Sequence, residues 1–370
     1  VAVPDRLLRI LILNTFPAWG GGEKWTLTLA LGLRDNGHFV VISARPYSET
    51  DKRARDHGLA TAPFYIGPDI AFWKIIPFQK ILRTHKIQVV VCCQNPDIKI
   101  GALAARLAGI PAIFARQGLA RIRNTIEHQF IVTKYLDGII TNTLSIKKLY
   151  ESYGWFPPDF IHTVYDGPEI SIPPKQIDLH REFGLNKESK IIITAGRLDH
   201  QKRFDLLVDV AKLAKDHSYN WNIIVVGKGK LDHELKSRAA SLQVEDIIRF
   251  IGFRTDVLDL YYSSDLFIMS SDSEGMSNSL REAMALGLPC ISTDVYGVDE
   301  LFENGRNGIS VPRGDANGLF LAIEALFSDS ERRRWLGENA RKRIATSFNN
   351  TVMIKRVEEI FINQLNSRIQ

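Results

Sequence analysis

Cysteine is scarce: Cys92 and Cys93 lie side by side in one apolar run and Cys290 sits in another, three in 370 residues. So few thiols, so placed, exclude a disulfide framework and read as buried groups of a reducing, cytoplasmic compartment. No His/Cys cluster has metal spacing and no Asp-x-Asp occurs. Asp272-x-Glu274 and Asp232-x-Glu234 only loosely resemble such a signature, so a metal-independent chemistry with no cofactor is expected. No apolar run approaches the roughly 20 residues that span a bilayer. The first, Leu7–Leu13, leads into Asn14 and Pro17 rather than a small-residue cleavage site, and reads as a buried strand, not a signal peptide. Neither G-x-G-x-x-G nor a Walker loop is present, which argues against a nicotinamide oxidoreductase. There is no fixed-period repeat and no low-complexity tract.

What is present is ordinary in bulk and uneven in detail. The length argues for two domains, and 45% hydrophobic with 24% charged residues suits a globular protein. The net charge of +5 is divided: residues 1–167 carry 20 Lys+Arg against 13 Asp+Glu, and residues 168–370 carry 27 against 29. The basic half suits an anionic partner, a membrane surface or a phosphorylated acceptor, unless its charge is simply solvated. Nothing points to nucleic acid. Both halves alternate short Val/Ile-rich runs with longer amphipathic segments, the βα pattern of a parallel sheet. Strands are expected at 7–13, 39–43, 88–93, 112–115, 138–141 and 160–164, then at 190–195, 222–226, 247–251, 266–270 and 289–293. The Pro- and Gly-containing stretch 166–174 marks the junction, giving domains 1–167 and 168–348. The tail 349–370 reads as a final helix with Val352, Ile354, Val357, Ile360, Phe361 and Leu365 as its apolar positions. The expected architecture is α/β, two Rossmann-like doubly wound domains facing across a cleft, with ligands beyond the carboxyl ends of the strands.

The richest segment is Ser271 to Ala285. Glu274 and Glu282, eight positions apart, bracket a Ser/Gly turn leading into a helix on which Leu280, Met284 and Leu288 recur at helical spacing. Met276, Ser277 and Asn278 then offer backbone N–H groups at a helix N-terminus, a ready anion site. A diphosphate flanked by two hydroxyl-rich groups, as in a sugar nucleotide, fits between the carboxylates. Gly196-Arg197 and Lys202 follow another strand, where two cations neutralise a departing diphosphate without a metal. A surface pair in a βα loop is the plainer alternative. Gly20, Gly21 and Gly22 follow the first strand and permit close backbone approach, or simply build a turn. Gly227-Lys228-Gly229-Lys230 is a weaker signal of the same kind. The basic, aromatic stretch Phe72–Lys86 suits either a membrane surface or a packed crossover helix. Arg116, Arg121 and Arg123 cluster beyond a strand end, where a phosphate-bearing acceptor or water would meet them.

Taken together, these residues resemble the retaining glycosyltransferases of family 4, which have the two-domain GT-B architecture. The resemblance covers essentially the whole chain. It rests on Gly196-Arg197…Lys202, Gly227, Phe250-Ile251-Gly252-Phe253 and Glu274-x7-Glu282 in order, and on Gly20-Gly21 and Gly37-His38-Phe39-Val40. It implies that Arg197 and Lys202 hold the donor diphosphate, that amides of Met276, Ser277 and Asn278 reach the phosphates, and that Glu282 binds the ribose. It also implies that Glu274 contacts the donor sugar, that Gly252 to Arg254 lie by the base, that Gly20 and Gly21 close on the phosphates, and that the last helix returns to the first domain. Three positions depart from the family pattern. Gln117 stands where many members carry a histidine beside the transferred sugar, Gln94 where another is common, and Asp166-Gly167 where Asn-Gly is usual. Gln117 cannot act as a general base, which leaves the usual proposal for this family, in which the leaving phosphate takes the acceptor's proton. The expected activity is transfer from a nucleotide sugar, a UDP-sugar, to a cell-envelope glycan or lipid-linked acceptor, with acceptor-side candidates Gln117, Arg116 and Arg121. A nucleotide-sugar epimerase on the same architecture and a non-catalytic binding subunit are the alternatives; intact Arg197, Lys202, Glu274 and Glu282 argue against degeneracy.

Overall fold

The structure, a computed structural model, describes residues 7–67, 71–168, 174–295 and 297–368. The chain divides into two compact units, residues 1–166 with 349–370, and residues 167–348. Positions 169–173 of the junction and the last two residues of the tail lie outside the described residues.

The first unit is built on seven parallel strands: β1 Arg9–Asn14, β2 Phe39–Ala44, β3 Ala60–Thr61, β4 Val89–Cys92, β5 Ala112–Gln117, β6 Gly138–Thr141 and β7 Ile161–Thr163, in the order β3-β2-β1-β4-β5-β6-β7. β1 is an interior strand, with Ile10 paired to Val40 on one side and Val89 on the other. Its side chains alternate between two cores, as a two-residue period requires. Leu11 and Leu13 join the cluster containing Phe78 and Tyr150, while Ile10 and Ile12 join the one containing Trp25 and Phe361. A strand buried on both faces has no solvated side, which is why Ile10–Leu13 reads as an unbroken apolar run.

The second unit has six parallel strands: β8 Lys190–Ala195, β9 Trp221–Val226, β10 Ile248–Gly252, β11 Leu266–Met269, β12 Cys290–Thr293 and β13 Ile309–Val311, in the order β10-β9-β8-β11-β12-β13. Strand order reverses between β1 and β4 in the first sheet and between β8 and β11 in the second. Loops part at such a reversal and leave a crevice at the carboxyl ends of the strands.

Several expectations shift. β3 and β13 are two and three residues long, too short to show a period in sequence. β5 continues through Arg116 and Gln117, which pair with Ile140 and Thr141 of β6, because the Gln117 amide finds partners inside the fold. The helix after Glu274 spans Asn278–Ala285 and does not reach Leu288. Gly287 takes φ +81°, its N–H donates to the Met284 carbonyl, and the Leu288 N–H donates to the Ala283 carbonyl, a left-handed glycine stop. In the final helix Asn350–Ser367, Met353 rather than Val352 faces the core, and Val352 is 43% exposed. Asn349 caps the helix by accepting from the Val352 N–H at 2.9 Å, which fixes the rotation.

That helix belongs to the first unit. Met353, Val357, Ile360, Phe361 and Leu365 complete the Trp25 core, and Phe361 lies 5.2 Å from the Phe114 ring. Buried Glu358 bonds His38 Nε2 at 2.9 Å and accepts from Asn36 Nδ2 at 2.7 Å. Gly32, in the helix Gly21–Asp35, lets that helix and the last one close, since a Cβ there would meet Ile354 Cδ1 at 2.1 Å.

Candidate active site

Three strand-to-helix loops of the second unit are tied together at the reversal point. After β8, Asp199 caps the short turn His200–Lys202 and accepts from Arg197 Nε at 2.5 Å. Burial pushes the Asp199 carboxyl up, but Arg197 and Lys202 together hold it below the usual carboxylate range. After β9, Gly227 takes φ +142°, and a Cβ there would stand 1.9 Å from the Gly196 carbonyl oxygen. The two strand ends therefore meet backbone to backbone, which only glycine permits. The Gly227 N–H also donates to the Gly252 carbonyl at 2.8 Å, which holds the end of β10 in place. After β11, Ser270 Oγ donates to the Lys202 carbonyl at 2.9 Å and Gln201 Nε2 donates to the Ser273 carbonyl at 2.7 Å.

The glutamate turn is anchored inside this frame. Lys202 Nζ and Ser271 Oγ both donate to Glu274 Oε1, the latter at 2.9 Å. Neighbouring Asp272 accepts two bonds from Arg203 at 3.0 Å. Both carboxylates of the Asp-x-Glu pattern are thus engaged by cations. Among the described residues no three His, Cys, Asp or Glu side chains gather as a metal site would need. Ser277 caps the following helix, its Oγ accepting from the Leu280 N–H, so the N–H groups of Asn278 and Ser279 lie outside the helix's own ladder and point from its positive end. Behind the turn, Gly297 takes φ +85° and a Cβ there would stand 1.8 Å from the Gly275 carbonyl oxygen.

These loops enclose a cavity of about 690 Å³. Gly196, Arg197, Lys202, Gly227 and Arg254 line it together with Glu274, Met276, Ser277, Asn278 and Glu282. Gly252 lies just behind, through its bond to Gly227. Arg197 projects with its side chain 73% exposed, whereas Lys202 and Glu274 are 18% and 10% exposed. Arg254 is held by Asp256 and by Glu182 at 2.7 Å. Phe253 lines the cavity within the expected Gly252 to Arg254 stretch, whereas Lys228, Val257, Tyr261 and Ser279 also line it and are absent from the sequence-derived set. Lys228 had a signal in its Gly-Lys-Gly-Lys loop. Tyr261 reads in sequence only as an apolar helix position.

The first-unit candidates gather at the carboxyl ends of β1, β4 and β5. Gly20 caps the helix Gly21–Asp35 in extended conformation, and a Cβ at Gly21 would meet no atom within 4 Å. The fold itself therefore does not require glycine at 21. The Arg116 guanidinium lies 5.1 Å from the Trp25 ring centroid. Gln117 is buried, donating to the Arg116 carbonyl at 3.2 Å and accepting from Tyr150 Oη at 3.3 Å, so it props the strand end. Arg121 donates to Gln94 Oε1. Sequence reasoning missed Asp97. Fully buried, it accepts from Thr15 Oγ1 at 2.6 Å and from the Gln94 N–H at 3.0 Å, tying the loop after β1 to the loop after β4. Burial pushes its carboxyl up to about 7 against the pull of those bonds.

Two reversed parallel sheets and a cationic, amide-lined crevice define a glycosyltransferase of the GT-B type. The family model "Glycosyl transferases group 1" matches residues 175–343 and "Glycosyltransferase Family 4" matches residues 19–171; the chain belongs to these glycosyltransferases. It is 28% identical over 247 residues to the N-acetyl-alpha-D-glucosaminyl L-malate synthase of Bacillus anthracis, a match spanning 66% of this chain and 62% of that protein. It is 24% identical over 309 residues to the UDP-Gal:alpha-D-GlcNAc-diphosphoundecaprenol alpha-1,3-galactosyltransferase of Escherichia coli, covering 79% of each. The crystal structure of Anabaena HepE in complex with UDP shares the fold, with a TM-score of 0.83 at 18% identity over 96% of this chain and 100% of that one.

Proposed function

We propose that this enzyme is a retaining, metal-independent glycosyltransferase that takes a sugar from a UDP-sugar and gives it to a cell-envelope glycan or lipid-linked acceptor. One observation carries the reading: Arg197, Lys202, the amide end of the helix Asn278–Ala285 and both glutamates line a single cavity. The diphosphate sits against the cations and the free amides. Lys202 then shares its ammonium between Glu274 and the phosphate, and Glu282 takes the ribose hydroxyls. The C1–O bond to the β-phosphate breaks as the acceptor oxygen bonds to C1 from the same face, and the leaving phosphate takes the acceptor's proton. Charge builds on the phosphate during this step, so fixed cations and amides aimed at it lower the barrier without a metal ion.

The UDP printed for the Escherichia coli galactosyltransferase and for HepE supports a UDP donor, and the diphosphoundecaprenol in the former's name supports a lipid-linked acceptor. In the first unit, Phe72, Trp73 and Ile76 are 59%, 65% and 77% exposed, while Phe78 and Leu82 of the same stretch pack inward. Exposed aromatic and apolar side chains beside Lys74 and Lys80 suit contact with an anionic membrane surface. The test is a panel of nucleotide sugars scored for nucleotide release with EDTA present, with and without lipid-linked saccharides and L-malate as acceptors. UDP release that depends on a lipid-linked saccharide supports the proposal, and release that depends on L-malate instead contradicts its acceptor class. Interconversion of the sugar without an acceptor makes the protein an epimerase, and release abolished by EDTA contradicts the metal-free mechanism.

A further inference from the structure

Tyr261 stands out in the donor cavity. It lines the cavity, yet it is fully buried, and its hydroxyl has no hydrogen-bond partner among the described residues. A buried hydroxyl left unpaired is costly, and folded proteins rarely keep one without use. The ring cannot turn away, because it packs edge-on against Phe267 with centroids 5.4 Å apart at 83°. Its helix, Val257–Tyr262, packs on the helix Asn278–Ala285 that carries Glu282. Burial, and after it the Glu282 charge, keeps the phenol protonated. A neutral phenol beside a carboxylate can only donate to it.

Resting on the nucleotide-sugar reading above, we propose that Tyr261 is a positioning residue. When a ribose enters, the Tyr261 hydroxyl donates to the Glu282 carboxylate and turns that carboxylate toward the ribose diol. The unpaired hydroxyl of the free protein is then the group that nucleotide binding satisfies, so part of the affinity is gained through Glu282 rather than by direct contact.

The experiment is calorimetric titration with UDP and with 2′,3′-dideoxy-UDP, on wild type and Tyr261→Phe, alongside the melting temperature of each free protein. The expected result is a free Tyr261→Phe protein at least as stable as wild type, since it loses only an unpaired group. Its UDP affinity falls about tenfold, and the loss disappears with the dideoxy nucleotide, because positioning Glu282 matters only when there is a diol to hold. A lower melting temperature for free Tyr261→Phe shows that the hydroxyl is already partnered and overturns the proposal. Unchanged UDP affinity, or an equal loss with both nucleotides, overturns it as well. Wild type that binds neither nucleotide removes the donor-site reading itself, and this inference with it.

Discussion

Lys202 carries two loads. Its carbonyl accepts from Ser270 and its ammonium donates to Glu274, so the same residue sets the loop and supplies the charge. Removing the ammonium leaves the largely buried Glu274 without its cation and the phosphate without its clamp. Lys202→Ala is expected to lower kcat by about 10²–10³, some 3–4 kcal/mol of transition-state stabilisation, in a steady-state assay with saturating donor. Glu282→Ala is expected instead to raise the donor Kd by the loss of a charged hydrogen bond, about 1.5–3 kcal/mol, with kcat less affected. In the first unit Asp97 makes a different residue-scale prediction. Its carboxyl titrates from an ordinary 3.8 when unfolded to about 7 when folded. Between those values the folded state holds a proton that the unfolded state has released. The stabilisation is therefore complete below about pH 4 and is lost as pH rises toward 7, roughly 4 kcal/mol in all. Urea midpoints measured at pH 5 and pH 7.5 should fall further for wild type than for Asp97→Asn; parallel declines would show that the buried carboxyl does not titrate in this range.

At the scale of elements, the cavity depends on glycines that hold strand ends and turns against one another. A methyl group at Gly297 would drive into the Gly275 carbonyl and strain a left-handed backbone. Gly297→Ala is expected to weaken UDP binding while lying outside the cavity lining, and to lower the melting temperature with it. Gly21 is the contrast: with open space around its Cβ and a place in the first turn of a helix, Gly21→Ala should leave the melting temperature unchanged or raise it. A drop in turnover there, with stability intact, would locate a ligand's approach to that turn. The sequence already showed why Gly196, Arg197, Lys202 and the Glu274 turn fall near one sheet edge, because each follows an apolar strand. Gly297, Tyr261 and Asp97 were hidden for a physical reason. Their roles come from what packs against them, a carbonyl 22 residues away, an aromatic ring and two loops, and no local period records such contacts. The helix stop at Gly287 was legible in principle, but the recurrence of Leu280, Met284 and Leu288 outweighed it.

At the scale of the whole molecule, two parallel α/β sheets were readable from the alternation of strand and helix patterns, while β3 and β13, too short for a period, were not. The last helix shows how the chain's two ends depend on each other. Five of its apolar side chains enter the first unit's core, worth about 1.5–3 kcal/mol each when buried, which together matches the whole stability of a typical domain. A chain ending at Phe348 is therefore expected to lose the cooperative unfolding of its first unit while the second still melts cooperatively, as calorimetry would resolve. The measurement that bears most directly on the account is diffraction from crystals soaked with UDP in the presence of EDTA. Both phosphates are expected within hydrogen-bond distance of Arg197, Lys202 and the amides of Ser277 or Asn278. Phosphates bound elsewhere, or nucleotide density that appears only after a divalent cation is added, would contradict it.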